Sequence, residues 1–186
     1  DFTIAAEKTV NAVVHVKTTY AQNNNRQPSM YDFFFGEPYG QRMPQMASGS
    51  GVIISTDGYI ITNNHVIDNA ENIEIVLNDN RNYKAKLVGR DQATDIALVK
   101  IDEKDLPTIT YGNSDELKVG EWVLAVGNPF NLTSTVTAGI VSAKERNINL
   151  LRQRTGSNFA IESFIQTDAA VNPGNSGGAL VNTRGE

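Results

Sequence analysis

The chain has 186 residues, 40% of them apolar, and 16 Lys and Arg against 21 Asp and Glu leave a net charge of −5. That length allows one large domain or two small, closely packed ones, with about 70% of the unfolded surface buried on folding. With no cysteine, disulfides, thiol catalysis and thiolate metal sites are excluded, two histidines argue against the common zinc sites, and an acidic balance without a basic stripe argues against nucleic acid. No cofactor or metal is expected.

The first residues, Asp1-Phe2-Thr3-Ile4, match neither a signal peptide nor a transit peptide, so any targeting segment is expected to have been removed. Residues 10–17 alternate, with Val10, Ala12, Val14 and Val16 on one face and Asn11, Val13, His15 and Lys17 on the other, which predicts a half-buried strand. Residues 22–46 break every period. Asn23-Asn24-Asn25, three prolines and Tyr31-Asp32-Phe33-Phe34-Phe35 predict a long surface loop that docks its aromatics elsewhere. Residues 50–54 and 59–62 are β-rich runs joined by Ser55-Thr56-Asp57-Gly58, a strong hairpin signal. A second hairpin reads from 73–77 through Asn78-Asp79-Asn80 into 83–88, and Asp95 stands directly before an alternating strand at 96–101. Residues 102–120, with Pro107, Gly112 and Gly120, read as a crossing between two halves. Beyond it, 122–126, 133–143 and 159–166 are strand-like, the last two separated by the charged, irregular stretch 146–157. No apolar run approaches the ~18 residues of a membrane helix. Many short strands with almost no helical periodicity predict an all-β barrel or sandwich.

The chemistry concentrates in Asn172-Pro173-Gly174-Asn175-Ser176-Gly177-Gly178-Ala179-Leu180. Gly174, Gly177 and Gly178 permit backbone angles that side chains forbid and let a substrate approach closely. Backbone N–H groups aimed at one spot stabilise the oxyanion formed when a serine attacks a carbonyl, worth about a hundredfold to a thousandfold per donor. Alone, a Gly-Ser-Gly run is as often a loop or linker. A serine nucleophile also needs a base, and histidine has the pKa for that task. His15 lies within a strand on its more polar face and reads as a surface histidine. His65 stands where a hairpin gives way to polar residues, from which it can reach a cleft, and is the better base. A carboxylate must hold the imidazole in its working tautomer. Asp95, at the mouth of an apolar strand, fits. Asp168, eight residues before Ser176, is its rival, and otherwise a turn residue bracing the nucleophile loop. Gly174-Asn175-Ser176-Gly177-Gly178 also satisfies the G-x-S-x-G pattern of α/β-hydrolases, but there the histidine follows the serine, and no histidine follows Ser176.

With the order His65, Asp95, Ser176, the chain resembles the protease domain of the bacterial HtrA (Deg) family of chymotrypsin-like serine proteases. The matching segments are Ser48-Gly49-Ser50-Gly51-Val52-Ile53-Ile54, Thr62-Asn63-Asn64-His65-Val66, Thr94-Asp95-Ile96-Ala97-Leu98-Val99-Lys100, Gly127-Asn128-Pro129-Phe130 and the run from Gln166 to Gly178. The resemblance implies two perpendicular six-stranded β-barrels, at 1–110 and 111–186, with the site in the cleft between them. It implies that Ser176 attacks the scissile carbonyl, His65 moves the proton and Asp95 orients His65. The oxyanion hole would be the backbone N–H groups of Gly174, Asn175 and Ser176. Val171 would stand on the S1 wall and favour a small aliphatic P1 residue. Residues 22–46 resemble the family's LA loop, and 146–157 its L3 sensor loop, with Arg146 as the sensor arginine. Glu145 replaces the glycine usual before that arginine. Phe2 would sit at the contacts of a homotrimer or a higher multiple of trimers. Substrates would be unfolded or misfolded proteins in the periplasm or cell envelope.

The family continues past Glu186 through the last strands of the second barrel into PDZ domains, so this chain is expected to hold an incomplete second barrel, with an open sheet edge that lowers solubility. The alternative to a quality-control endopeptidase is a chaperone, a holdase or a regulatory binding module whose triad is silent at rest.

Overall fold

The computed structural model describes residues 1–20, 46–129, 134–146, 163–172 and 174–186. It begins with helix α1 (Thr3–Val10) and strand β1 (Val13–Thr19). There follow β2 (Met46–Ile53), β3 (Tyr59–Asn63), the one-turn helix α2 (Asn64–Ile67), β4 (Asn72–Val76), β5 (Asn82–Asp91) and β6 (Ile96–Lys100). The second half carries β7 (Trp122–Gly127), β8 (Thr135–Arg146), β9 (Phe164–Thr167) and β10 (Ala179–Asn182). Strands β1 to β6 close into a barrel in the order β1-β2-β3-β6-β5-β4, and the rest form a four-stranded sheet in the order β10-β7-β8-β9. Every pairing is antiparallel, as the hairpin signals require. The architecture is all-β and chymotrypsin-like, with a second sheet that does not close among the described residues. No described helix is long and apolar enough to cross a membrane.

The hairpins form where the turn chemistry allows it. Gly58 takes φ +99° and closes a turn on the Ser55 carbonyl at 3.2 Å, returning the chain so that Ile60 pairs with Ile53. Asn80 takes φ +67°, a left-handed conformation asparagine tolerates, between β4 and β5. The barrel interior is filled by Val14, Val16, Ile53, Ile60, Ile75, Val99 and Ile101, the inward residues of strands from around the ring and of the turn after β6. The expected long loop lies outside the described residues apart from Met46, which opens β2.

Two expectations for the N-terminal region change. The strand does not begin at Val10: Thr3–Val10 is helical, and the strand starts at Val13. At helical spacing Phe2, Ala5 and Thr9 fall on one side, Ala5 and Thr9 are wholly buried, and packing on the second sheet decides the conformation. Nor is β1 half-buried. Val14 and Val16 face the barrel interior, but Val13 joins Ala5, Val52, Leu124, Val126 and Val181 in a second core between barrel and sheet. From Val13 to Val16 both faces of the strand are therefore dry, while Lys17 and Thr19 are half-buried.

Candidate active site

The end of β3 and the start of β6 meet at a corner of the barrel, where Asn63 pairs with Ile96. Asp95, just before β6, sits at φ +59°, a conformation tolerated best by Asp and Asn. Its carbonyl accepts hydrogen bonds from Asn64 N at 3.0 Å and from Asn63 Nδ2 at 3.0 Å, which fixes the residue against helix α2. Its carboxylate is thereby aimed at His65. Asp95 Oδ2 lies 2.7 Å from His65 Nδ1, and Oδ1 accepts the His65 backbone N–H at 2.9 Å. A carboxylate oxygen at Nδ1 requires a proton there and leaves Nε2 as the basic atom. Asp168 is elsewhere: its Oδ1 accepts Ile140 N at 2.7 Å, bracing the chain between β8 and the nucleophile segment.

The segment around Ser176 is tied to β2. Ser50 N donates to the Ser176 carbonyl at 2.8 Å, and Ser50 Oγ donates to the Gly174 carbonyl at 2.7 Å. Asn175 N donates to Asn172 O at 3.0 Å, closing a four-residue turn with Gly174 at φ +94°. Of the three expected oxyanion donors the Asn175 N–H is thus committed to the turn. Gly174 N and Ser176 N have no acceptor among the described residues. Gly177, at φ +86°, brings the backbone so close that a β-carbon there would collide with the Ser50 carbonyl and lie 2.5 Å from Thr62 Oγ1 and 3.1 Å from Asn63 N. That contact brings the residue after Ser176 against the strand that leads to His65. The Ser176 hydroxyl makes no hydrogen bond among the described residues. Asn175, 7% exposed, has both side-chain amide atoms unpartnered among the described residues, beside Gly127.

His15 is not the surface residue its strand face predicts. It is 4% exposed, because that face of β1 packs toward the second half of the chain, and its Nδ1 donates to the Asn128 carbonyl at 2.8 Å. Burial pushes its pKa below the ordinary value, Asn128 opposes that in part, and Lys17 adds to it. His15 is therefore neutral at physiological pH. Ser50 lies in a segment that matches by motif, but nothing in the sequence announces its contacts with Ser176 and Gly174.

Val171 is 61% exposed. Arg146 ends β8, and the expected sensor loop after it lies outside the described residues. Glu145 adopts φ +56°, a backbone conformation that glycine takes without strain.

A closed antiparallel barrel, a second sheet packed against it, and a histidine–carboxylate pair beside a glycine-rich serine loop define a chymotrypsin-type serine hydrolase scaffold. Residues 49–186 match the family described as a trypsin-like peptidase domain, and the chain belongs to that family. Among curated relatives, a "probable periplasmic serine endoprotease DegP-like" of Hahella chejuensis is 46% identical over the whole of this chain and 41% of the relative. One of Marinomonas sp. with the same description is 47% identical over the whole chain and 42% of the relative. The chain thus spans about two fifths of those relatives. The solved HtrA-type protease AlgW with a decapeptide superimposes with a TM-score of 0.78 at 43% identity, over all of this chain and 56% of that one.

Proposed function

We propose that this chain is the peptidase portion of a serine endoprotease of protein quality control, hydrolysing peptide bonds of unfolded or misfolded proteins in the periplasm or cell envelope. The observation that carries this reading is the double hold of Asp95 on His65 beside the Ser176 loop. In the reaction Ser176 Oγ bonds to the scissile carbonyl carbon as its proton passes to His65 Nε2, and the imidazolium is stabilised by Asp95 Oδ2. The carbonyl electrons move to oxygen, which accepts the N–H groups of Gly174 and Ser176. The oxygen re-forms the double bond, the C–N bond breaks, and His65 gives its proton to the leaving amine. Water, deprotonated by His65, then attacks the acyl-enzyme, and Ser176 leaves with the proton.

The division into units of 1–110 and 111–186, the S1 role of Val171 and the sensor role of Arg146 are part of the same proposal, drawn from motif correspondence. So is assembly as a trimer. Its local support is an aromatic pair, Phe2 and Trp122, with ring centroids 5.4 Å apart and Trp122 54% exposed. A resting state that binds protein without cutting it is favoured by one observation, a Ser176 hydroxyl with no hydrogen-bond partner among the described residues. Binding of substrate or an activator would complete the site.

The test is intact-mass analysis of the full-length protein after exposure to a fluorophosphonate, beside Ser176→Ala. Stoichiometric labelling lost in the variant is expected. Equal labelling of both proteins, or none of either with substrate protein present, rejects the reading.

A further inference from the structure

Ser50 is wholly buried, and all of its hydrogen-bonding groups are committed. Its backbone N–H holds the Ser176 carbonyl at 2.8 Å, and its own carbonyl accepts Thr62 Oγ1 at 2.7 Å. Its hydroxyl donates to the Gly174 carbonyl at 2.7 Å and accepts the Asn128 N–H at 2.8 Å. Directly across the β1–β2 ladder from Ser50 stands His15, whose Nδ1 donates to the carbonyl of that same Asn128 at 2.8 Å. The two cross-strand neighbours therefore grip residue 128 from both ends. The next residue, Pro129, lies under Gly174, where a β-carbon would come within 2.6 Å of Pro129 Cβ.

This arrangement has a directional result. The peptide joining residues 174 and 175 is pinned at both ends, its carbonyl by Ser50 Oγ and its N–H by Asn172 O. The peptide joining 176 and 177 is pinned at its carbonyl by Ser50 N. Between them lies the peptide whose N–H belongs to Ser176. That peptide's own carbonyl accepts Gly178 N at 2.8 Å, and with both flanking peptides fixed as well its N–H has little freedom to rotate; a hydrogen-bond donor contributes most to catalysis where its direction is set before charge develops.

We propose that Ser50 is a positioning residue for the oxyanion-binding peptides of the serine-peptidase site, acting through the Gly174 and Ser176 carbonyls, with His15 bracing it by way of Asn128. The inference rests on the reading of Ser176 given above. It assigns a task to a serine and a histidine that the triad does not use.

The experiment compares the full-length protein with Ser50→Ala, His15→Leu and His15→Asn, the last keeping an N–H donor near the place of Nδ1. Two readouts are taken. The first is steady-state cleavage of a peptide ester or amide together with inhibition by a peptide aldehyde, which binds as a tetrahedral adduct. Ser50→Ala is expected to lower kcat about tenfold to a hundredfold and to weaken aldehyde inhibition to a similar extent, with KM within about twofold. His15→Leu is expected to show the same pattern more weakly, and His15→Asn to restore it. The second readout is amide hydrogen exchange at Asn175, which needs no activity. Its protection should fall in Ser50→Ala and His15→Leu by more than any fall in global protection, and return in His15→Asn. Unchanged kcat in Ser50→Ala, or a loss of kcat and of Asn175 protection that follows global unfolding alone, overturns the proposal. Should Ser50→Ala not fold, the two His15 variants decide it, with equal behaviour of Leu and Asn counting against it. Should Ser176→Ala cleave as fast as the parent protein, the serine-peptidase reading fails, and exchange at Asn175 still tests the clamp.

Discussion

Asp95 holds His65 by two separate bonds, one oxygen on the ring at 2.7 Å and the other on the residue's own backbone N–H at 2.9 Å. The second bond ties the carboxylate to the helix that carries the imidazole, so the ring and its partner move together. Asp95→Asn keeps an oxygen for the backbone N–H and places an amide N–H against Nδ1. That stabilises the tautomer with its proton on Nε2, the wrong one for a base. We expect the variant to fold with a thermal midpoint close to the parent's and to lose about ten-thousandfold in kcat, as the aspartate-to-asparagine change does in Ser-His-Asp triads. A loss below about tenfold in a peptide-cleavage assay would contradict the assigned role.

Gly177→Ala tests how tightly the nucleophile loop is packed on the barrel. The new methyl meets the Ser50 carbonyl and Thr62 Oγ1 at a residue already at φ +86°. Overpacking and a left-handed alanine together should cost about 3 kcal/mol. Chemical denaturation should show a lower midpoint at unchanged slope, and a cost under about 1 kcal/mol would mean that the loop can lift away.

His15 makes stability depend on pH in a definite direction. Burial lowers its folded-state pKa, so between its unfolded value of about 6.5 and the lower folded value the unfolded chain binds more protons. Its contribution is fully present above pH ~6.5 and is lost as pH falls through that window toward the folded-state pKa. His15→Asn, which does not titrate, should flatten the dependence of unfolding free energy on pH below about pH 6.5. Identical slopes in parent and variant would refute it.

Glu145 offers the opposite kind of change. It is exposed, at φ +56°. Glycine removes the left-handed strain, and its greater freedom in the unfolded chain offsets part of the gain. Glu145→Gly should raise stability by at most about 1 kcal/mol, measured by urea denaturation, whereas Glu145→Val should lower it.

Much of the site was legible because its chemistry is local. Asp57-Gly58 announces the hairpin that ends at His65, and the glycines around Ser176 announce a loop no side chain would permit. What escaped depends on contacts distant in sequence. His15 alternates as a surface residue should, and only the second half of the chain, more than a hundred residues later, buries it through Asn128. Helix α1 is too short to declare itself by period and is set by the surface it packs on. Strand β10 was missed because its four residues run straight on from the glycine-rich loop. In the sequence Asp95 is preferred only for its place before an apolar strand, and Asp168 stays its rival. Strand pairing separates them, since it brings β6 beside β3 and leaves Asp168 capping Ile140.

The strand with two dry faces bears on how such a chain can change over time. Val13 and Val52 belong to the barrel, yet they share a core with Leu124, Val126 and Val181 of the sheet. Neither half can be exchanged for a homologue's without matching the other at those positions. Substitutions there should be inherited in compensating sets, a larger side chain at 126 alongside a smaller one at 13 or 52. The two halves that carry His65, Asp95 and Ser176 are thus bound into one evolutionary unit by residues outside the proposed chemistry.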